Sequence, residues 1–180
     1  MAATTEFYTR ILGMELASTI FDDKVPSTGD TFPYFHIFLR MGDGSTLAFF
    51  ECADLALPAK SSHPAYGVFN HIALQVDGSA ELVKWRDWFA ENGLDVIGPV
   101  DHKGLIQCIY FHDPNGVRLE LTTPIDPNWN RHAAQGFEDL KLWVEAKERA
   151  PREGKDVAPE LLSLINRVKQ QRDDSKPKSP

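Results

Sequence analysis

The sequence predicts an α+β protein made of two similar half-domains followed by helices, and three observations predict it. Apolar residues recur at helical spacing in two short segments, each ending at a glycine, Gly13 and Gly93. After each glycine come segments rich in β-branched and aromatic residues, the last two of them joined by a glycine-bearing turn. Beyond Pro124 the pattern changes to long helical spacing and ends in a charged stretch containing prolines.

Taken in order, residues from Thr4 to Leu12 place Phe7, Tyr8, Ile11 and Leu12 on one face of a helix, with Gly13 as its stop. A polar, turn-rich stretch from Asp22 to Asp30 follows. Tyr34 to Met41 and Thr46 to Glu51 read as strands around the hairpin turn Gly42-Asp43-Gly44-Ser45. The segment Asp54 to Gly67, with Pro58 and Pro64, reads as a linker. In the second half Phe69 to Val76 reads as a strand and Ser79 to Asn92 as a helix. Three further strands follow, at Asp95 to Ile97, Gln107 to Phe111 and Arg118 to Thr122, the last two joined by His112-Asp113-Pro114-Asn115-Gly116. The second half is thus strand, helix and three strands, and the first half repeats it without the opening strand. Superposing Gly13 on Gly93 places the counterpart of His71 ahead of Met1. In the remaining part, Phe137, Leu140 and Val144, then Leu161, Leu164, Ile165 and Val168, predict two amphipathic helices. The expected divisions are 1–57 (first half), 58–68 (linker), 69–124 (second half), 125–172 (helical extension) and 173–180 (disordered tail).

The chain has 180 residues, 42% of them hydrophobic and 25% charged, enough for one domain with a core. Its formal net charge of -7 disfavours nucleic acid or an anionic membrane surface and leaves a small molecule or another protein as partner. Cys52 and Cys108 form no CxxC pair, so neither a disulfide framework nor a thiolate zinc site is indicated. With no leader pattern and no apolar run long enough to span a bilayer, a cytoplasmic location is expected. There is also no phosphate-cradling glycine loop, GxSxG elbow or HExxH helix.

Three residues able to bind a divalent metal interrupt apolar runs: Glu51 in Leu-Ala-Phe-Phe-Glu, His71 in Asn-His-Ile-Ala-Leu, and Glu120 in Arg-Leu-Glu-Leu. A charge buried in such a run is costly unless it is paired or metal-bound. Imidazole with carboxylates suits Fe2+, Mn2+, Ni2+ or Zn2+ and leaves positions for a substrate's adjacent oxygens. His36 is a further candidate pocket residue; His63, His112 and His132 carry no such signal.

The strings FYTRILGMEL (7 to 16), LAFFE (47 to 51), NHIALQV (70 to 76) and YFHDPNGVRLEL (110 to 121) resemble the paired βαβββ modules of the vicinal-oxygen-chelate superfamily, which includes glyoxalases, bleomycin resistance proteins and extradiol dioxygenases. The resemblance covers residues 4 to 123, with the DPNG turn four residues ahead of a strand glutamate as its sharpest mark. It implies two paired modules whose sheets form a curved mixed cleft, with metal ligands at Glu51, His71 and Glu120. The fourth ligand position, on the opening strand of the first module, has no counterpart here. Members of the superfamily commonly carry an Asp-Met pair just before the first helix. Met1 therefore looks like an internal methionine, and the opening strand is expected either to precede it or to have been lost, exposing a sheet edge.

The resemblance further implies a small-molecule enzyme that functions as a homodimer. Proton transfer beside a metal-chelated carbonyl or enediolate, as in glyoxalase-like lyases and epimerases, is favoured because Glu51 and Glu120 supply carboxylates to move the proton. Extradiol ring cleavage is the alternative. Its ligand set is two His and one carboxylate, with a His and a Tyr ahead of the final Glu, and His102 and Tyr110 lie 18 and 10 residues before Glu120. The expected catalytic residues are therefore Glu51, Glu120, His102 and Tyr110. A metal-free binding protein is the third reading, in which Phe49, Phe50, Trp85 and Trp88 line the site.

Overall fold

A computed structural model of the chain describes residues 1–52 and 66–174. The chain divides into two compact units, Met1–Pro127 and Asn128–Pro180.

In the first unit, helix α1 (Ala2–Glu6) runs on as a π-helical turn, Phe7–Ile11, and stops at Gly13, whose φ of +69° is a left-handed value that glycine adopts without strain. The predicted helical face is the buried one: Phe7, Tyr8 and Ile11 all lie in the core. Strands β1 (Glu15–Lys24), β2 (Thr31–Arg40) and β3 (Thr46–Glu51) form an antiparallel sheet in that order. The sequence reading placed no strand at β1. All ten residues of β1 are exposed, so it has no burial alternation to reveal it. Pro33 lies in the central strand β2 but interrupts no ladder, because the pairing skips from Asp22↔Tyr34 to Lys24↔Thr31 around it.

The short helix α2 (Tyr66–Phe69) occupies the end of the expected linker and shortens the predicted strand to β4 (His71–Gln75). Residues 53–57 of the expected first module and 58–65 of the linker lie outside the described residues. Helix α3 (Gly78–Glu91) buries Leu82 and Phe89 and ends at Gly93. Strands β5 (Ile97–Asp101), β6 (Ile106–His112) and β7 (Arg118–Pro124) follow, and the second sheet has the order β4-β7-β6-β5, with β4 parallel to β7 and the remaining pairs antiparallel.

One core joins the two halves. Phe7, Tyr8 and Ile11 of the first helix pack with Ile37 and Leu39 of β2, with Leu82 and Phe89 of α3, and with Ile109, Phe111, Leu119 and Leu121 of the second sheet. Polar contacts fix the same arrangement: the indole of Trp88 donates to the Ile11 carbonyl at 3.0 Å, and the Tyr8 hydroxyl donates to the Asp113 carboxylate at 3.2 Å. Each sheet therefore turns alternate residues toward the helices and the intervening ones away.

The second unit contains helices α4 (Ala133–Arg152) and α5 (Val157–Asp174), in line with the two helices expected, and the turn between them includes Gly154 at φ +68°. Its buried residues are Ala146, Ala150 and Leu164. Helix α5 reaches into the segment expected as a tail; residues 175–180 lie outside the described ones. No helix among the described residues is long and apolar enough to cross a membrane.

Candidate functional site

The face of the second sheet turned away from the helices carries the chemistry. Leu119, Leu121, Ile109 and Phe111 point into the core, so their neighbours Arg118, Glu120, Thr122, Cys108 and Tyr110 share the opposite face, and the parallel register His71↔Arg118 brings His71 beside them. Glu120 is buried, at 4% exposure, and its Oε2 lies 2.9 Å from His71 Nε2. The other ring nitrogen of His71, Nδ1, donates to the Phe69 carbonyl at 3.0 Å, which fixes the ring. With its proton on Nδ1, a neutral His71 presents a lone pair to the carboxylate. Two acceptors at this separation need a proton or a metal ion between them. The spacing suits a metal, because two ligands each about 2.1 Å from an ion and at right angles to one another stand about 3.0 Å apart.

Tyr110 faces Glu120 across the β6·β7 ladder and sits at the centre of the cluster. Burial, and then the nearby Glu120 carboxylate, hold its phenol protonated far above the ordinary tyrosine range. It therefore donates to His102 Nε2, 2.9 Å away. His102 is placed by the β5–β6 turn, in which its backbone N–H donates to the Ile106 carbonyl and Asp101 accepts from the Gly104 N–H. The edge of the Tyr110 ring meets His71, and the Arg118 guanidinium lies over its face, 4.2 Å from the centroid. The structure thus brings His71, Glu120, Tyr110 and His102 together.

Cys108, next on the same face, is within 3.3 Å of the Thr122 hydroxyl. Burial, and then Glu120, push its thiol up to about 11. In the native protein a thiol reagent at pH 8 is therefore expected to titrate Cys52 quickly and Cys108 only after denaturant is added; two fast thiols would contradict this placement. Because the folded form holds the Cys108 proton more tightly, its contribution to stability is complete below pH 9 and is lost as pH rises through about 11.

Glu51 does not join this group. The two hairpins are in the same register: Arg40↔Thr46 matches His112↔Arg118, and Phe38↔Ala48 matches Tyr110↔Glu120. The residue of the first sheet that corresponds to Glu120 is therefore Ala48, which has no ligand atom. Glu51 shares the opposite face with Phe49, whose ring packs 4.8 Å from that of Tyr8, and its carboxylate is paired with the Met1 ammonium on the helix side. The expectation of a three-residue set of Glu51, His71 and Glu120 is corrected accordingly. Among the described residues no group of three or more His, Cys, Asp or Glu side chains is placed to hold a metal. His71 and Glu120 alone would be two protein donors, against the three usual in catalytic zinc sites.

On the Ala48 face of the first sheet, His36 is stacked on Phe50 with ring centroids 3.6 Å apart, and lies 4.0 Å from Phe38. Its buried Nε2 has no hydrogen-bond partner among the described residues, and burial lowers its pKa, which favours the neutral ring. Phe50 is 61% exposed, so this face offers aromatic surface. Of the aromatic residues considered for a metal-free site, Phe49 packs against the core and Trp85 against Phe89. Sequence reading passed over Arg118 and Ala48. Two-residue spacing from Glu120 marks the first, and an equal count from each hairpin loop marks the second.

Comparison with known proteins agrees with this architecture. A family model described as the Glyoxalase/Bleomycin resistance protein/Dioxygenase superfamily matches residues 1–121. A search of curated proteins found no match. Among solved structures, the chain is similar to a glyoxylase/bleomycin resistance protein/dioxygenase domain from Frankia sp. EAN1pec, with 14% identity and a TM-score of 0.54 over 69% of this chain and 88% of that one. It is also similar to a glyoxalase family protein from Enterococcus faecalis (27% identity, TM-score 0.49, 68% and 87% covered). A third is lactoylglutathione lyase from Agrobacterium tumefaciens (19% identity, TM-score 0.46, 69% and 85% covered). The Frankia comparison carries the fold and the family model the membership: the chain belongs to the glyoxalase/bleomycin resistance protein/dioxygenase superfamily.

Proposed function

We propose that the protein is a metal-dependent enzyme acting on a small molecule with adjacent oxygens, and that its reaction is ring cleavage of a catechol-like substrate with dioxygen. His71 and Glu120 would hold the metal, and its other positions would be open to water and to the substrate's adjacent oxygens. One observation supports this choice over proton transfer: Ala48, not a carboxylate, occupies the first-sheet position that matches Glu120. Proton transfer was favoured on the strength of a second carboxylate at Glu51, and that carboxylate is turned toward the helices. One imidazole and one carboxylate are two of the three donors of the two-His, one-carboxylate sites of non-haem iron(II) oxygenases, which need no second carboxylate.

When bound, iron(II) would supply Lewis acidity toward the substrate's adjacent oxygens and a path by which the substrate's own electrons reach dioxygen. The chain's own residues do the rest. The Phe69 carbonyl holds the His71 ring so that Nε2 faces the site. Tyr110, kept protonated, is a hydrogen-bond donor beside Glu120, and His102 accepts at Nε2 and can carry a proton between the phenol and solvent. Phe50, Phe38 and His36 offer flat aromatic surface on the corresponding face of the first sheet, suited to a planar ring.

The test is oxygen uptake by protein reconstituted anaerobically with iron(II), then mixed with catechol in air-saturated buffer. The expected result is uptake equimolar with the ring opened, and its loss in His71→Ala. No uptake, together with metal-dependent exchange of a substrate α-proton into solvent, would overturn ring cleavage in favour of proton transfer.

A further inference from the structure

Arg118 is a cation beside the site that the proposed chemistry does not use. It lies two residues before Glu120 on the same face, in register with His71 across the parallel β4·β7 ladder. The described residues give it no carboxylate partner. Glu120, its nearest acid along the strand, is engaged by His71. The guanidinium is nevertheless held on two sides: its Nη1 donates to the Val68 carbonyl at 2.7 Å, and its plane lies 4.2 Å from the centre of the Tyr110 ring. Its remaining N–H groups, Nε and Nη2, form the edge that pairs with a carboxylate through two parallel hydrogen bonds. In a chain of net charge -7, a half-buried arginine that no acid among the described residues pairs with is a local exception to the field around it.

We propose that Arg118 recognises a carboxylate on the substrate, so that the site takes an acid whose carboxylate lies next to its metal-directed oxygens. This inference rests on the reading of the His71–Glu120 pair as the place where those oxygens bind. The carboxylate adds affinity and sets orientation: with one end fixed at Arg118, the adjacent oxygens are directed to His71 and Glu120 and the ring lies toward Tyr110. A planar carboxylate fits the fork better than a phosphate group, since Nη1 is already committed to Val68 and only one edge is open.

The test uses ligand affinity, not turnover. Calorimetric titration of the full chain without added metal, at low salt, compares 2,3-dihydroxybenzoate with catechol in the wild type, in Arg118→Met and in Arg118→Lys. The wild type is expected to bind the carboxylated ring about 10- to 100-fold more tightly than catechol. Arg118→Met is expected to abolish that preference while leaving catechol affinity unchanged, and Arg118→Lys to restore part of it. Equal affinity for the two ligands in the wild type, no binding of either, or a preference that survives in Arg118→Met would each overturn the proposal. An Arg118-dependent preference without oxygen uptake would keep the carboxylate site and overturn the reaction; uptake without the preference would do the reverse.

Discussion

Alanine at Glu120 or at His71 is expected to lower metal affinity by about 100-fold or more, whereas Glu51→Ala is expected to change it by less than about threefold. The large effects follow from the direct approach of His71 Nε2 to Glu120 Oε2 and from the fixed His71 ring, whose Nδ1 is already used by Phe69. The small effect follows from the strand pleat, which turns Glu51 to the helix side, where the Met1 ammonium holds it. Equilibrium dialysis with iron(II) or manganese(II) separates the three variants. His71→Ala also leaves the buried Glu120 carboxylate without its neighbouring ring, so a fall in thermal stability is expected with the loss of metal. His71→Gln places an amide N–H donor beside Glu120, and is expected to retain stability but not affinity. A Glu51 variant that loses metal as completely as the Glu120 variant would refute this assignment.

The second large effect is structural. Tyr8→Ala is expected to destabilise the protein by about 3–5 kcal/mol, the range for removing a large buried aromatic side chain. Tyr8 is fully buried, and its ring packs on Phe7 and Phe49. Tyr8→Phe is expected to cost only about 1–2 kcal/mol. Asp113, though buried, still accepts from the backbone N–H groups of Asn115 and Val117 and from the Asn115 side chain once the phenol is gone. Urea denaturation of the two variants measures the difference; equal losses would mean that the hydrogen bond, not the packing, joins the first helix to the turn of the second half.

The second half of the protein is the more legible in sequence. Its strands β6 and β7 are buried on both faces, its helix has a clear apolar stripe, and the turn at Asp113 is marked by Pro114, Asn115 and Gly116. His71 and Glu120 were legible for the same reason, since each interrupts an apolar run. Strand β1 was not, because a fully exposed edge strand carries no burial alternation. The position of Glu51 was misread because Leu47, Phe49 and Phe50 make both faces of β3 apolar, so composition does not say which way the glutamate points. Register says it: Met41 N donates to the Ser45 carbonyl as Asp113 N does to that of Val117, and three residues beyond each acceptor stand Ala48 and Glu120. Arg118 escaped notice because a lone arginine in a strand is ordinary; its meaning depends on Glu120 being engaged by His71 and on no other acid pairing with it among the described residues, which only the folded chain reveals.

The measurement that bears most directly on the central assignment is anomalous diffraction from crystals of the full chain grown with manganese(II) or iron(II). The account predicts an anomalous peak on the outer face of the second sheet, within about 2.3 Å of both His71 Nε2 and a Glu120 carboxylate oxygen. A peak at Glu51 with His71 and Glu120 still paired to each other, or no peak in crystals whose solution affinity is established, would contradict it.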